Sequence, residues 1–195
     1  AAGAPALAVA ADVGEPVAAA DLVRRVEATW GRLDALIHAA GPFHRVALLD
    51  ETSAGWRAMF DANLHALFDL SRAVAPGMME RRWGRILALG LASADRLAAQ
   101  PNLTAYAIAK GGVLVLVRSL ARVLAPHGIT VNAISPGILD AGSAPPAELA
   151  AMRPRIPAGH VGRVEDAVAA ARFLLSDEAA YVTGTNIHVS GGWGL

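Results

Sequence analysis

The sequence contains no cysteine. That excludes disulfides, thiolate metal sites and a cysteine nucleophile, and it suits a reducing, cytoplasmic setting. Net charge is also missing, because 17 basic residues balance 17 acidic ones. Bulk electrostatics therefore does not draw the chain to nucleic acid or to an anionic membrane, and neither is expected as a partner. No apolar run reaches membrane-spanning length without a charge or a Gly/Pro break. Internal repeats, charge blocks and low-complexity linkers are absent. The histidines (His38, His44, His65, His127, His160 and His188) show no metal-ligand spacing, so no metal site is expected. His38 and His188 read as strand residues and the rest as surface or loop. The opening Ala1-Ala2-Gly3-Ala4-Pro5 has neither a Met nor a signal-peptide pattern, and it reads as the middle of a longer chain.

What is present is apolar. Hydrophobic residues make up 54% of the 195 and charged residues 17%, enough for one domain with a sizeable core. The same balance fits a chain that buries surface in an oligomer. Ala6 to Ala11 is a short apolar run ending at Asp12 and reads as a buried strand. Gly14-Glu15-Pro16 opens a helix to about Trp30, and Leu33 to Ala39 is a second strand. Strand, helix and strand at this spacing make a βαβ unit in a parallel sheet. A helical stretch from about Ser53 to Glu80 is interrupted by Pro76-Gly77. Ile86 to Gly90 is a third strand, and a loop follows from Leu91 to Leu103. The next helix runs to about Leu124. It is apolar on most sides, as if buried against the sheet and a second subunit. Ile129 to Ile134 is a fourth strand, broken by Ser135-Pro136-Gly137. Residues 139–162 form a long Ala/Pro/Gly loop with one helical patch, Pro146 to Met152, and read as a substrate lid. Arg163 to Leu175 is an amphipathic helix. Tyr181 to Gly184 is a turn, and Asn186 to Val189 is the last strand.

One heptapeptide stands out, Thr104-Ala105-Tyr106-Ala107-Ile108-Ala109-Lys110. On a helix Tyr106 and Lys110 lie one turn apart on one face. A phenol of pKa about 10 is a poor acid or base at neutral pH, and a nearby ammonium favours its ionised form. Taken alone, the pair also reads as an ordinary helix surface.

With its neighbours the pair resembles the short-chain dehydrogenase/reductase family. Asp12-Val13 stands where that family has the Asp that touches adenine. His38-Ala39-Ala40-Gly41 stands at its Asn-Asn-Ala-Gly turn. Asn63 matches the mid-helix Asn of the catalytic tetrad, and Tyr106-x-x-x-Lys110 matches Tyr-x-x-x-Lys. Ser135-Pro136-Gly137 matches the turn under the nicotinamide. Tyr181-Val182-Thr183-Gly184 and Gly191-Gly192 match the C-terminal signature. The resemblance spans essentially all 195 residues.

It implies a Rossmann-type α/β fold: one NAD(P)-binding domain over 1–195, a doubly wound parallel sheet in three α/β/α layers. It also implies an NAD- or NADP-dependent oxidoreductase that reduces a ketone or oxidises a secondary alcohol, in the manner of a 3-oxoacyl-thioester reductase. Tyr106 would then move the proton. Lys110 would lower its pKa and bind the nicotinamide ribose. Ser93 would hydrogen-bond the substrate oxygen, and Asn63 would hold a relay water. Asp12, Val13, Ala39, Ala40, Gly41, Pro136, Gly137 and Ile138 would line the cofactor.

Three points stay open. Ser93 lies thirteen residues before Tyr106, but the connection from the strand is about two residues longer than usual, and Asp95 is the competing residue. Asn63 also reads as a satisfied core amide. Ala39 and Ala141 replace a family Asn and Thr, with Ser143 close to the latter. The family's opening strand, Gly-rich turn, helix and second strand have no counterpart in the sequence. The expectation is therefore about 40–50 further N-terminal residues, the size of a βαβ unit, with the first two strands absent here. The alternative is a non-catalytic relative kept as a binding or scaffolding subunit.

Overall fold

The computed structural model describes residues 3–142 and 144–194. Four parallel strands, β1 (Ala35–His38), β2 (Gly84–Leu89), β3 (Ile129–Pro136) and β6 (Asn186–Val189), form one sheet in the order β1-β2-β3-β6. β2 and β3 are buried along almost their whole length, as expected of apolar runs covered on both faces. Helices α1 (Pro16–Trp30), α3 (Ala66–Arg81) and α4 (Thr104–Leu124) pack on one face, where Val23, Leu67, Val74, Val113 and Val117 meet Ile86 and Val131. Helix α6 (Val164–Leu175) covers the other face, with Leu174 against Leu87 and Ile134. The three-layer Rossmann-type reading holds.

Three expectations are corrected. The run Ala6–Ala11 is no strand: it is irregular and largely exposed, with Leu7 45% exposed. A strand exists through its ladder partner, and no described strand lies beside this run. Pro76-Gly77 does not interrupt the helix, since α3 continues to Arg81. An interior proline costs about 3 kcal/mol. Burial of Val74 and Met78 on either side recovers roughly 1.5–3 kcal/mol each, so the packed helix wins. Third, the helical stretch before it is not uniform. α2 (Ser53–Phe60) passes into a single π-helical turn, Asp61–His65, before α3 begins.

The long segment after β3 is fastened at its base. β4 (Leu139–Asp140) pairs with β5 (Gly162–Arg163), so the two ends of the excursion lie side by side. Helix α5 (Pro146–Met152) is the short helical patch. Ile156, only 3% exposed, is buried within the excursion.

Candidate active site

A cavity of about 910 Å³ opens at the C-terminal ends of β1, β2 and β3, where ligands bind in open α/β sheets. Ala39, Ala40 and Gly41 reach it from the loop after β1, and Ser93 from the loop after β2. Pro136, Gly137 and Ile138 come from the end of β3, and Tyr106 and Lys110 from α4. Nine of the twelve residues expected at the site therefore line one space.

Tyr106 and Lys110 sit one helical turn apart. Lys110 is 4% exposed. Its Nζ donates to the Leu89 carbonyl at 2.7 Å and lies 5.6 Å from the centroid of the Tyr106 ring. Burial pulls the Lys110 pKa down to about 8. Burial pushes the Tyr106 phenol up. The expectation that Lys110 depresses Tyr106 is thus not what the chain alone shows. Desolvation of a half-buried phenol dominates, and the ammonium is turned to a backbone carbonyl. Phe43 packs its ring edge-on to Tyr106 at 5.1 Å.

Ser93 faces the cavity and Asp95 does not. Ser93 has φ 73°, left-handed for a non-glycine residue, a conformation that costs energy and clusters at functional sites. Asp95 turns away, with its Oδ2 2.9 Å from His188 Nε2. His188 also touches Asn186, whose Oδ1 accepts from Ser135 Oγ at 2.7 Å. This network fastens the Ser93 loop to β3 and β6. The sequence carried no local signal for it, because its members come from three separate segments.

Asn63 lies behind the cavity wall. It is fully buried in the π-helical turn, a feature frequent at functional sites. Its Nδ2 donates to Met59 O at 3.0 Å and to Pro42 O at 3.1 Å, while its Oδ1 has no protein partner. The amide is therefore only half satisfied. Gly41 makes the close approach possible: at φ 147°, a Cβ there would meet Asn63 Oδ1 at 2.3 Å. His38, 2% exposed, has neither ring nitrogen paired. Burial first, then the Lys110 charge, lower its pKa to about 4. Its burial at the end of β1 was not legible in the sequence.

Asp12 and Val13 lie at the head of α1 and outside the cavity lining. Asp12 Oδ1 accepts from the Gly14 amide at 3.0 Å, and Val13 packs on the core. Ser143 lies outside the described residues. Arg45, Arg96, Arg155 and Trp193 also line the cavity, and sequence reasoning missed all four. Among the described residues no group of acidic or histidine side chains is arranged to hold a metal ion. No helix there is long and apolar enough to cross a membrane.

The residues fit the nicotinamide half of a dinucleotide. Ala39, Ala40, Gly41 and Gly90 leave a wall of backbone and small side chains beside the Lys110 ammonium. Gly137 keeps the opposite turn tight, since a Cβ there would meet Ser190 Cα at 2.7 Å.

Comparison with known proteins finds the same fold and similar sequences among oxidoreductases. A family model described as enoyl-(acyl carrier protein) reductase matches residues 1–194. The 3-oxoacyl-(acyl-carrier-protein) reductase of Salmonella typhimurium is 34% identical over 185 residues, covering 93% of this chain and 75% of that protein. The Escherichia coli protein of the same name is 34% identical over 184 residues, with the same coverage. A solved Sinorhizobium meliloti protein assigned as a short-chain alcohol dehydrogenase superposes with a TM-score of 0.90 at 31% identity, covering 98% of this chain and 77% of that one. An Agrobacterium tumefaciens protein assigned as a gluconate dehydrogenase gives 0.89 at 31% identity, covering 97% and 76%.

Proposed function

The chain belongs to the short-chain dehydrogenase/reductase family and is an NAD(P)-dependent oxidoreductase, and we propose that it interconverts a ketone and a secondary alcohol through Tyr106, Lys110, Ser93 and Asn63. The observation that carries this reading is the convergence of Tyr106, Lys110 and Ser93 on one cavity at the C-terminal edge of the sheet.

When bound, the dihydronicotinamide supplies the hydride. Tyr106 gives its phenolic proton to the carbonyl oxygen in reduction and takes it back in oxidation. Lys110, held by the Leu89 carbonyl, binds the nicotinamide ribose hydroxyls and places positive charge near the phenol. Ser93 donates to the same carbonyl oxygen and stabilises the charge that builds there. The unpaired Oδ1 of Asn63 orders a water that returns protons towards Lys110. Asp12 and Val13 serve the adenine end. Ala39 to Gly41 and Pro136 to Ile138 cradle the nicotinamide.

The names of the Salmonella and Escherichia coli relatives point to 3-oxoacyl thioesters as the substrate class. Residues 139–162, fastened at the β4–β5 base, act as the substrate lid. Exposed Phe68, Ile108 and Val115 on α3 and α4 support a homodimer or homotetramer. No observation favours the non-catalytic alternative.

The test is NADH and NADPH oxidation with a panel of 3-oxo esters and thioesters. Turnover is expected with at least one pair. Tyr106→Phe is expected to lower kcat by 10²-fold or more with the thermal melt unchanged. Full turnover in that variant excludes the role given to Tyr106.

A further inference from the structure

We propose that Arg45, Arg96 and Arg155 form an anion subsite in the catalytic cavity, which holds a carboxylate or phosphate group carried by the carbonyl substrate. The inference rests on the ketone-reducing reading and adds to it an anionic group carried by the substrate of the same site.

The first ground is the charge of the lining. Acidic and basic residues are equal in number in the whole chain. The cavity nevertheless presents four cationic side chains, the three arginines and Lys110, and no Asp or Glu. The nearest acid in sequence, Asp95, is engaged with His188 and does not face the cavity. Among the described residues, no carboxylate lies within 4.0 Å of any of the three guanidinium groups. Like charges gathered around one space repel, and an anion placed among them relieves that repulsion.

The second ground is that each arginine is carried by anchored backbone. Arg45 precedes Val46, whose amide donates to Asn102 O at 3.1 Å, and Leu48 N donates to Pro101 O at 2.8 Å. That ties the loop after β1 to the loop before α4. The Arg96 amide donates to Ser93 O at 3.0 Å, and Arg96 Nη1 donates to Gly194 O at 3.3 Å. Arg155 precedes the buried Ile156, and Ala158 N donates to Gly191 O at 2.9 Å. The three charges therefore arrive from the loops after β1, β2 and β3, each fastened to a neighbouring segment. Guanidinium groups match carboxylate and phosphate oxygens with paired donors. Arg155 lies on the lid and the other two on the body, so an anion between them joins the lid to the sheet edge.

The experiment is isothermal titration calorimetry on the whole chain at fixed ionic strength. The probes are 4-oxopentanoate, dihydroxyacetone phosphate and, as the neutral control, ethyl 4-oxopentanoate. At least one anion is expected to bind tenfold or more tighter than the ester, and the tighter anion identifies the group. In the Arg45→Gln/Arg155→Gln double variant that ratio is expected to fall to within about twofold, and Arg155→Glu is expected to reverse it. Anions that bind no tighter than the ester, or a preference that survives both variants, overturn the subsite. NAD(P)H consumption with the same probes is measured separately. Arginine-dependent anion binding without turnover of any ketone leaves the subsite standing and removes the proposed reaction instead.

Discussion

Lys110 Nζ donates a 2.7 Å hydrogen bond to the carbonyl of Leu89, which joins the second turn of α4 to the last residue of β2. The bond aligns the ammonium with the sheet edge and takes it out of water. The structure thereby holds a charge where it is costly for folding and where, in the proposed reaction, it binds a ribose.

Replacing Lys110 by Met is therefore expected to stabilise the fold and abolish turnover. Burial lowers the Lys110 pKa from 10.5 to about 8. Between those values the unfolded chain keeps a proton that the folded chain has released, so stability rises with pH across that window. Below pH 8 the fold carries the full cost, up to about 3 kcal/mol. Losing the bond to Leu89 offsets part of this. Urea melts at pH 7 are expected to show Lys110→Met more stable by about 1–2 kcal/mol, with the difference shrinking as pH rises from about 8 to 10.5.

His38 sets the acid limit. Its pKa falls from 6.5 to about 4 in the fold, so the neutral ring is the one that is buried. The His38 contribution to stability is complete above pH 6.5. It declines as pH falls to 4, because the unfolded chain binds a proton that the folded chain refuses. The loss amounts to about 3 kcal/mol. His38→Gln is expected to flatten this part of the stability–pH curve, measured by urea midpoints from pH 4 to 7. An unchanged slope assigns the acid sensitivity elsewhere.

Ser93 and Asp95 separate by kinetics. Ser93 lines the cavity and Asp95 binds His188. Ser93→Ala is expected to lower kcat 10²–10³-fold. Asp95→Asn keeps a side chain able to hydrogen-bond His188 and is expected to cost less than tenfold. The reverse order would give Asp95 the hydroxyl's place.

Gly41 and Asn63 are coupled by contact. Gly41→Ala puts a Cβ at 2.3 Å from Asn63 Oδ1 and an L side chain at φ 147°. A loss of about 2–4 kcal/mol is expected. Asn63→Ala removes two hydrogen bonds and is expected to cost about 1–3 kcal/mol. The double variant relieves the clash, so a coupling of at least about 1 kcal/mol should appear in the cycle of thermal melts. Simple additivity would show that the two do not press on each other.

The sequence by itself determined most of the sheet and the pairing of Tyr106 with Lys110 at its edge. The β2 and β3 runs are continuous apolar segments because both faces of those strands are covered. Tyr106 and Lys110 needed only a helical period to share a face. The Pro146–Met152 patch and the strand Asn186–Val189 also followed from local pattern. Tertiary structure decided whatever depends on a distant partner. Ala6–Ala11 has the composition of a strand but no ladder neighbour among the described residues, so it is not one. Pro76 should break a helix, yet the buried side chains around it hold α3 together. The phenol's pKa follows burial more than the nearby ammonium, and neither depth nor direction is written in the spacing of Tyr106 and Lys110. The unpaired ring of His38, the Asp95–His188 contact and the convergence of three arginines arise from segments far apart in the chain. No local period encodes them, and only packing brings them together.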